Sequence, residues 1–430
     1  MKTYYIESLG CPKNLVDSEM FAWLTEKNGY QAVEKAEDAE LIIINTCGFI
    51  LEAKEEAIDT IMLMNEYRKT GKLKKLVATG CFVGRYLEDL KDELVEVDHL
   101  IDLKDFRSFN KLFSDEEPEL GRKLLTPKHF AYLRISDGCD NKCTYCAIPG
   151  IRGELISEPI EKIVAEARFL ASEGVKELIV SAQDVTQYGV DLYGERKFPE
   201  LLKKLEEIEG FEWIRILYMH PAHVTDKLIE TIAGSEKIIS YFDIPVQHAS
   251  SSMLKAMNRK ITADEQRTVF NKIRTAIPNA VIRTTLISGF PGETDADHNE
   301  LLDFIKEIKF GRLGVFTYSP EDGTPAAMMK GKVSKTKAID RKDEIMMIQQ
   351  SISEDFMASF IGKELDVIVD AESSEDGILY EGRSKYDAPE IDGSVFITSG
   401  LAKIGDIVTV KIIDSWEYDL VGEIIHSNKL

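Results

Sequence analysis

Cysteine is scarce in this chain, six among 430 residues, and tryptophan scarcer still at three. Basic residues fall short of acidic ones, 53 against 75, for a net charge of −22. No apolar run approaches the roughly 20 residues that a membrane-spanning helix needs, and the start, MKTYYIESLG, has no apolar signal segment. There is no internal repeat and no low-complexity stretch. Neither a membrane-spanning helix nor secretion is expected, and the chain is expected in the cytoplasm, where thiols stay reduced and disulfides are rare. The six cysteines then read as metal ligands, reactive groups or buried hydrophobes rather than staples. The acid surplus repels phosphate backbones unless a basic groove overrides it, and it suits a basic partner; a merely well-solvated surface explains net charge alone equally well.

What is present fits a soluble α/β chain of about two to four domains. The segment 1–120 alternates strand and helix: TYYIES, a helix from Asp17 to Asn28, the fully apolar LIIIN, a helix from Ala53 to Arg68, then KLVATG. Such a run predicts a doubly wound parallel sheet. SDEEPELG (Ser114 to Gly121) reads as its exit linker. Over 128–335 the candidate strands are YLRIS, ELIVSA, WIRILYM, IISYFDIPV, AVIRTTLIS and LGVFTYS, with amphipathic helices between most of them. One of these helices carries Ile160, Ile163, Val164, Ala167 and Leu170 at helical spacing. Six strand–helix units predict a partial TIM-like (β/α)6 barrel. A helix at 336–360 presents Ile345, Ile348, Ile352, Phe356 and Phe360 on one face, and 361–430 turns to short strands with Gly and Asp turns, a small all-β barrel.

The cysteines fall into two sets. Cys139, Cys143 and Cys146 form C-x3-C-x2-C directly after YLRIS, which suits an iron–sulfur cluster. Zinc is the rival, but a structural zinc wants four ligands, and the only other candidate nearby is His129 on the far side of the strand. Three thiolates on a four-iron cluster leave one iron open to substrate. Cys11, Cys47 and Cys81 lie 36 and 34 positions apart, yet each stands just past one of the three N-terminal strands. In an open parallel sheet the carboxyl ends of strands share one edge. The three thiols should therefore converge, with Gly10, Gly48 and Gly80 beside them for tight turns. Burial as ordinary hydrophobes is the alternative.

These residues resemble the radical S-adenosylmethionine methylthiotransferases over essentially the whole chain. SLGCPKNLVDSEM (Ser8 to Met20) looks most like the branch that modifies an aspartate of small-subunit ribosomal protein twelve. The terminal barrel resembles the module called TRAM, often an RNA binder. The resemblance implies two 4Fe-4S clusters, with S-adenosyl-L-methionine as cosubstrate. The open iron of the Cys139/Cys143/Cys146 cluster would chelate the cosubstrate, whose cleavage yields a radical able to take hydrogen from the aspartate β-carbon. The cluster on Cys11, Cys47 and Cys81 would supply the methylthio group. An electron donor such as flavodoxin or ferredoxin and a sulfur donor are implied as partners.

The resemblance also implies cosubstrate contacts. Gln183 and Asp184 follow the second barrel strand with Ser181, and Asp184 suits an ammonium; a helix N-cap is the plainer role. Tyr145, between the cluster cysteines, would lie near adenine or simply pack. Arg283 and SGFPGET (Ser288 to Thr294) are read as ending the fifth strand, so that Arg283 would meet the methionine carboxylate while Gly289 and Gly292 let backbone approach the adenosine. Gln247 is a candidate ribose contact. His220, His223 and His248 are read as structural, and Glu293 is given no contact.

The last domain bears on the substrate. From Ile361 to Leu430 there are six basic and fifteen acidic residues, too few cations for phosphate binding. Tyr380, Tyr386, Phe396, Trp416 and Tyr418 then read as core. An acidic face, including Asp387, Glu390 and Asp392, would suit a basic ribosomal protein, and direct tRNA binding is not expected. The same chemistry on a tRNA adenosine is the alternative, and a non-catalytic iron–sulfur RNA-binding protein a distant one.

Overall fold

The computed structural model describes residues 2–427, so the tail of the last domain, with Lys429, lies outside the described residues. The chain forms two compact units. One takes the chain up to Thr126 with Asp137–Ile156 and Ser319–Ala327; the other takes Pro127–Ser136, Ser157–Tyr318 and the chain from Met328 onward. The cysteine loop of 139–146 thus packs in the first unit, although its sequence position lies inside the barrel segment.

In the first unit a parallel sheet runs in the order β2-β1-β3-β4-β5, from β1 (Lys2–Ser8), β2 (Tyr30–Ala32), β3 (Leu41–Thr46), β4 (Lys75–Gly80) and β5 (His99–Leu100). All six residues of β3 are buried, because helices cover both faces and each face takes alternate side chains. Ile42 and Ile44 pack with Leu76 and Ala78 on one side, while Leu41 and Ile43 pack with Val77 and Tyr4 on the other. Helix α1 (Pro12–Lys27) begins five residues earlier than its sequence suggests. Its first turns bury Asn14, Asp17, Ser18 and Glu19, so apolar periodicity does not mark its start. Helices α2 (Leu51–Asn65) and α3 (Cys81–Glu93) follow β3 and β4.

The second unit carries six parallel strands, in two runs ordered β8-β7-β6 and β9-β10-β11. They are β6 (Phe130–Arg134), β7 (Glu177–Ser181), β8 (Trp213–Ile216), β9 (Tyr241–Asp243), β10 (Val281–Ser288) and β11 (Arg312–Thr317). A parallel bridge from Ile214 to Ile238 joins the two runs. Helix α4 (Ile160–Ser172) buries Ile160, Ile163, Val164, Ala167 and Leu170, as its spacing predicts. The long helix α5 (Lys335–Ala358) differs from expectation. It buries Ala338, Arg341, Ile345, Gln349, Ser353 and Met357, and leaves Ile348, Ile352 and Phe356 half-exposed. Two polar members of that stripe have partners: Arg341 reaches Asp295 at 2.7 Å, and Gln349 donates to the Phe310 carbonyl at 2.9 Å.

Beyond α5 a closed barrel runs in the order β12-β13-β14-β16-β15. Its strands are β12 (Glu364–Glu372), β13 (Tyr380–Ser384), β14 (Val395–Ser399), β15 (Ile407–Ser415) and β16 (Leu420–Ser427). This small barrel is fastened to the ends at which the parallel strands begin. Glu177, Tyr241 and Arg312 open β7, β9 and β11; they meet Arg383 at 2.7 Å, Asp392 at 2.5 Å and Asp387 in a buried ion pair, respectively. His129 adds a contact of 2.7 Å to Asp370. The acidic face expected at Asp387 and Asp392 is therefore absent from the surface. Both carboxylates are turned inward to a barrel that supplies Arg and Tyr partners, and of the three only Glu390 is exposed. The aromatics also divide differently. Tyr380 and Tyr386 pack on the core, whereas Trp416 and Tyr418 are exposed by 47% and 40%. Among the described residues no helix is long and apolar enough to cross a membrane.

Candidate functional site

The first unit brings together Cys11, Cys47 and Cys81, each past the carboxyl end of a parallel strand. Cys11 precedes α1, Cys47 lies between β3 and α2, and Cys81 opens α3. Glycine makes the approach possible. A Cβ on Gly10 would stand 3.0 Å from the Cys47 sulfur, and one on Gly48 would stand 2.6 Å from the Phe82 Cα, next to Cys81. Asn14, fully buried, ties the three loops into one knot. Its Nδ2 donates to the carbonyls of Leu9 and Thr46, both at 3.0 Å, and its Oδ1 accepts from the Cys81 thiol at 3.3 Å.

The other three thiols also belong to this unit. The Cys139 amide donates to the Gly153 carbonyl and the Cys146 amide to the Cys143 carbonyl, both at 3.1 Å. The segment Ser319–Ala327 straps this loop, with Ala326 N–H donating to the Thr144 carbonyl at 2.9 Å. Glu321 holds the strap through Lys54 and Arg85, each at 2.9 Å. Tyr145 is half-buried.

Arg152, six residues past Cys146, connects the two thiol sets. It donates to Asn14 Oδ1 at 2.7 Å, to Asp17 at 3.0 Å and to Asp137 at 3.1 Å, with its side chain 1% exposed. Its charge reaches the thiols. Burial disfavours the Cys11 thiolate, yet Lys13 and Arg152 outweigh that and lower its pKa. Burial pushes Cys81 up to about 12 in spite of Arg152, and raises Cys47 as well. Asn14, Asp17 and Arg152 are missed by reading for thiols. The available signal was that the first two lie in the run PKNLVD beside Cys11, and the third just past the cysteine loop.

All six cysteines are free thiols. Among the described residues no three His, Cys, Asp or Glu side chains come close enough to hold one metal ion. Soft donors, three per set, fit iron–sulfur clusters, and the buried Arg152 lies near the Cys11, Cys47 and Cys81 set, whose thiolates need positive compensation.

The second unit holds the remaining candidates. Asp184 caps a short 3-10 turn, accepting from Thr186 N–H at 3.0 Å, and meets His223 Nδ1 at 3.0 Å. Burial alone would raise its pKa, but the His223 hydrogen bond, the neighbouring histidines and the Thr186 hydroxyl hold it at about 2. Gln183 precedes it past the end of β7. Gln247 has a left-handed backbone, φ 68°, and bridges to β10. Gly289 follows β10 with φ 78°, where a Cβ would stand 2.4 Å from that of Ala338, so this glycine serves packing against α5. Arg283 departs from expectation. It is the third residue of the eight-residue β10 and pairs with Asp243 at 2.8 Å and Asp392 at 3.6 Å, apart from the strand-end set. His220 and His248 each accept backbone N–H groups at Nδ1. Glu293 receives the Gly289 N–H at 2.5 Å and Arg341 at 3.3 Å, an internal clasp.

A partial barrel of parallel strands with C-x3-C-x2-C after its first strand defines a radical S-adenosylmethionine enzyme, and residues 133–305 match the Radical SAM superfamily. Residues 3–102 match Uncharacterized protein family UPF0004, and residues 361–425 match the TRAM domain. The chain is 44% identical to ribosomal protein uS12 methylthiotransferase RimO of Clostridioides difficile, over 98% of both chains. It is 44% identical to the protein of the same name from Bdellovibrio bacteriovorus, over 99% of this chain and 98% of that one. The chain belongs to the RimO family of methylthiotransferases. Among solved structures, the radical S-adenosylmethionine methyltransferase TsrM of Kitasatospora setae matches with a TM-score of 0.58 at 10% identity, over 81% of this chain and 89% of that one. At that identity the likeness concerns the fold alone. Family membership brings S-adenosylmethionine and a 4Fe-4S cluster as the enzyme's chemistry.

Proposed function

We propose that this enzyme methylthiolates an aspartate β-carbon of ribosomal protein uS12, using two clusters, one on Cys139, Cys143 and Cys146 and one on Cys11, Cys47 and Cys81. The observation that carries the two-cluster reading is the second convergence of three thiols, which cleavage of S-adenosylmethionine alone would not require. When bound, the first cluster supplies the electron for that cleavage, and with it the radical needed to break an unactivated C–H bond. The chain's own residues bind and orient. Asp184, ionised at neutral pH, offers a fixed negative charge for the methionine ammonium, with His223 holding its orientation. Gln183 and Gln247 offer amide groups to the cosubstrate, and Tyr145 an aromatic face. Arg283 is left to its ion pairs with Asp243 and Asp392, and Gly289 to packing. Arg152 and Lys13 compensate the negative charge of the thiolates at Cys11 and Cys81. A one-electron donor of the flavodoxin or ferredoxin kind and a sulfur donor complete the reaction.

The test is anaerobic turnover with purified uS12 and tRNA offered together. Mass spectrometry should find the added methylthio mass on the ribosomal protein. Modification of tRNA instead would move the enzyme to the tRNA-modifying branch.

A further inference from the structure

Helix α2 starts four residues after Cys47 and carries more apolar surface than its core uses. Only Ala57, Ile61 and Met64 are buried. Leu51, Ile58 and Met62 are exposed by 51%, 38% and 44%, and with Glu55 they follow one another along a single stripe at i, i+4, i+7 and i+11. Beside the stripe Glu52 and Asp59 stand seven residues apart and so lie on one row. Among the described residues none of these acids has an ion-pair partner, and Lys54, the one cation of the helix, is held by Glu321 at 2.9 Å. Isolated exposed hydrophobics are ordinary, but a row of exposed apolar side chains broken by Glu55 and rimmed by acids of one sign without ion-pair partners marks an interaction surface.

The chemistry of the face selects its occupant. Unpaired carboxylates repel RNA phosphates, and a second copy of the helix would set acid against acid. A protein that itself binds RNA carries lysine and arginine, whose aliphatic stems lie along apolar surface while their charges meet carboxylates. We propose that the exposed face of α2 is the docking surface for a basic segment of the ribosomal protein, placed beside Cys47. This rests on the reading that uS12 is the substrate.

Binding of purified uS12 to the full-length, anaerobically reconstituted enzyme tests it. Two variants are compared with wild type: Leu51→Ser/Ile58→Ser/Met62→Ser, and Glu52→Lys/Asp59→Lys. Each should raise Kd by about tenfold or more. The second should also flatten the dependence of Kd on salt, and iron content and substrate-free cleavage of S-adenosylmethionine should stay at wild-type values. If iron content shows that the serine variant is misfolded, the lysine variant decides. Wild-type Kd in a properly loaded lysine variant, or a wild-type enzyme that dimerises through this face, overturns the proposal. A wild-type enzyme that modifies tRNA and does not bind uS12 overturns the substrate reading and the docking surface with it.

Discussion

The guanidinium of Arg152 lies 3.0 Å from the carboxylate of Asp17, and both side chains are 1% exposed. A residue just past one thiol set is thereby locked to the helix that follows Cys11. Breaking a buried pair by removing one partner typically costs about 3–5 kcal/mol, because the other charge is left without compensation. Arg152→Met should destabilise the apo-protein by that order, with Arg152→Lys in between because it keeps the charge but loses the fork. Denaturant midpoints check it, and an unchanged midpoint for the Met variant would remove Arg152 from the framework.

Iron content separates the two thiol sets. The reconstituted wild-type chain should bind about eight irons, since each cluster holds four. Replacing Cys139, Cys143 and Cys146 by Ala should leave about half and abolish cleavage of S-adenosylmethionine. Replacing Cys11, Cys47 and Cys81 should also leave about half yet spare that cleavage. Full iron retention in the second variant would contradict a cluster at the strand-end edge.

The small barrel should respond to charge reversal through stability. Asp387→Ala strands the buried Arg312 and should cost about 3–5 kcal/mol, with Asp387→Lys costing more. Glu390→Lys, at an exposed position, should stay within about 0.5 kcal/mol. Equal effects at the two positions, read from unfolding curves, would overturn the view that Asp387 fastens one barrel to the other.

Acid sensitivity should carry the signature of His220. Burial and the nearby Arg259 hold its pKa down at about 2, and its ring accepts the Ala222 N–H at 3.2 Å. Because the folded value lies below the unfolded one of about 6.5, its contribution is complete above that pH and is lost as pH falls toward the folded value. One proton taken up on unfolding gives a slope near 1.4 kcal/mol per pH unit in that window. Asp184, also depressed to about 2, contributes only in the lower window beneath its ordinary 3.8. His220→Asn keeps an acceptor and removes the titration. Stability measured from about pH 6.5 to 4.5 should therefore flatten in this variant, and an unaltered slope would show that His220 is not the group.

Where side chains follow a period, the fold was legible. LIIIN and KLVATG announce parallel strands, and from them the common edge of Cys11, Cys47 and Cys81 follows. The buried stripe of α4 can be read residue by residue. Buried polar groups were not legible, because their partners are distant in sequence: Asn14 and Arg152 are 138 positions apart. For the same reason Asp387 and Asp392 look like surface acids until Arg312 and Tyr241 are placed opposite them. Arg283 stands apart from the SGFPGET turn because β10 is eight residues long, and the turn begins only at Ser288, its last residue. In α5 the stripe that holds Arg341 and Gln349 won the core over the more apolar one, because the barrel supplies Asp295 and backbone carbonyls to meet these two side chains.

The convergence of thiols from the ends of three adjacent strands sets an order of events during biogenesis. While the chain is being made, Cys11, Cys47 and Cys81 are remote from one another, and nothing local could gather them. Only when β1, β3 and β4 have paired, and Asn14 has closed over the carbonyls of Leu9 and Thr46, does a three-thiol seat exist. A cofactor requiring all three can be received only by a finished domain, so iron loading would act as a checkpoint that half-folded chains fail.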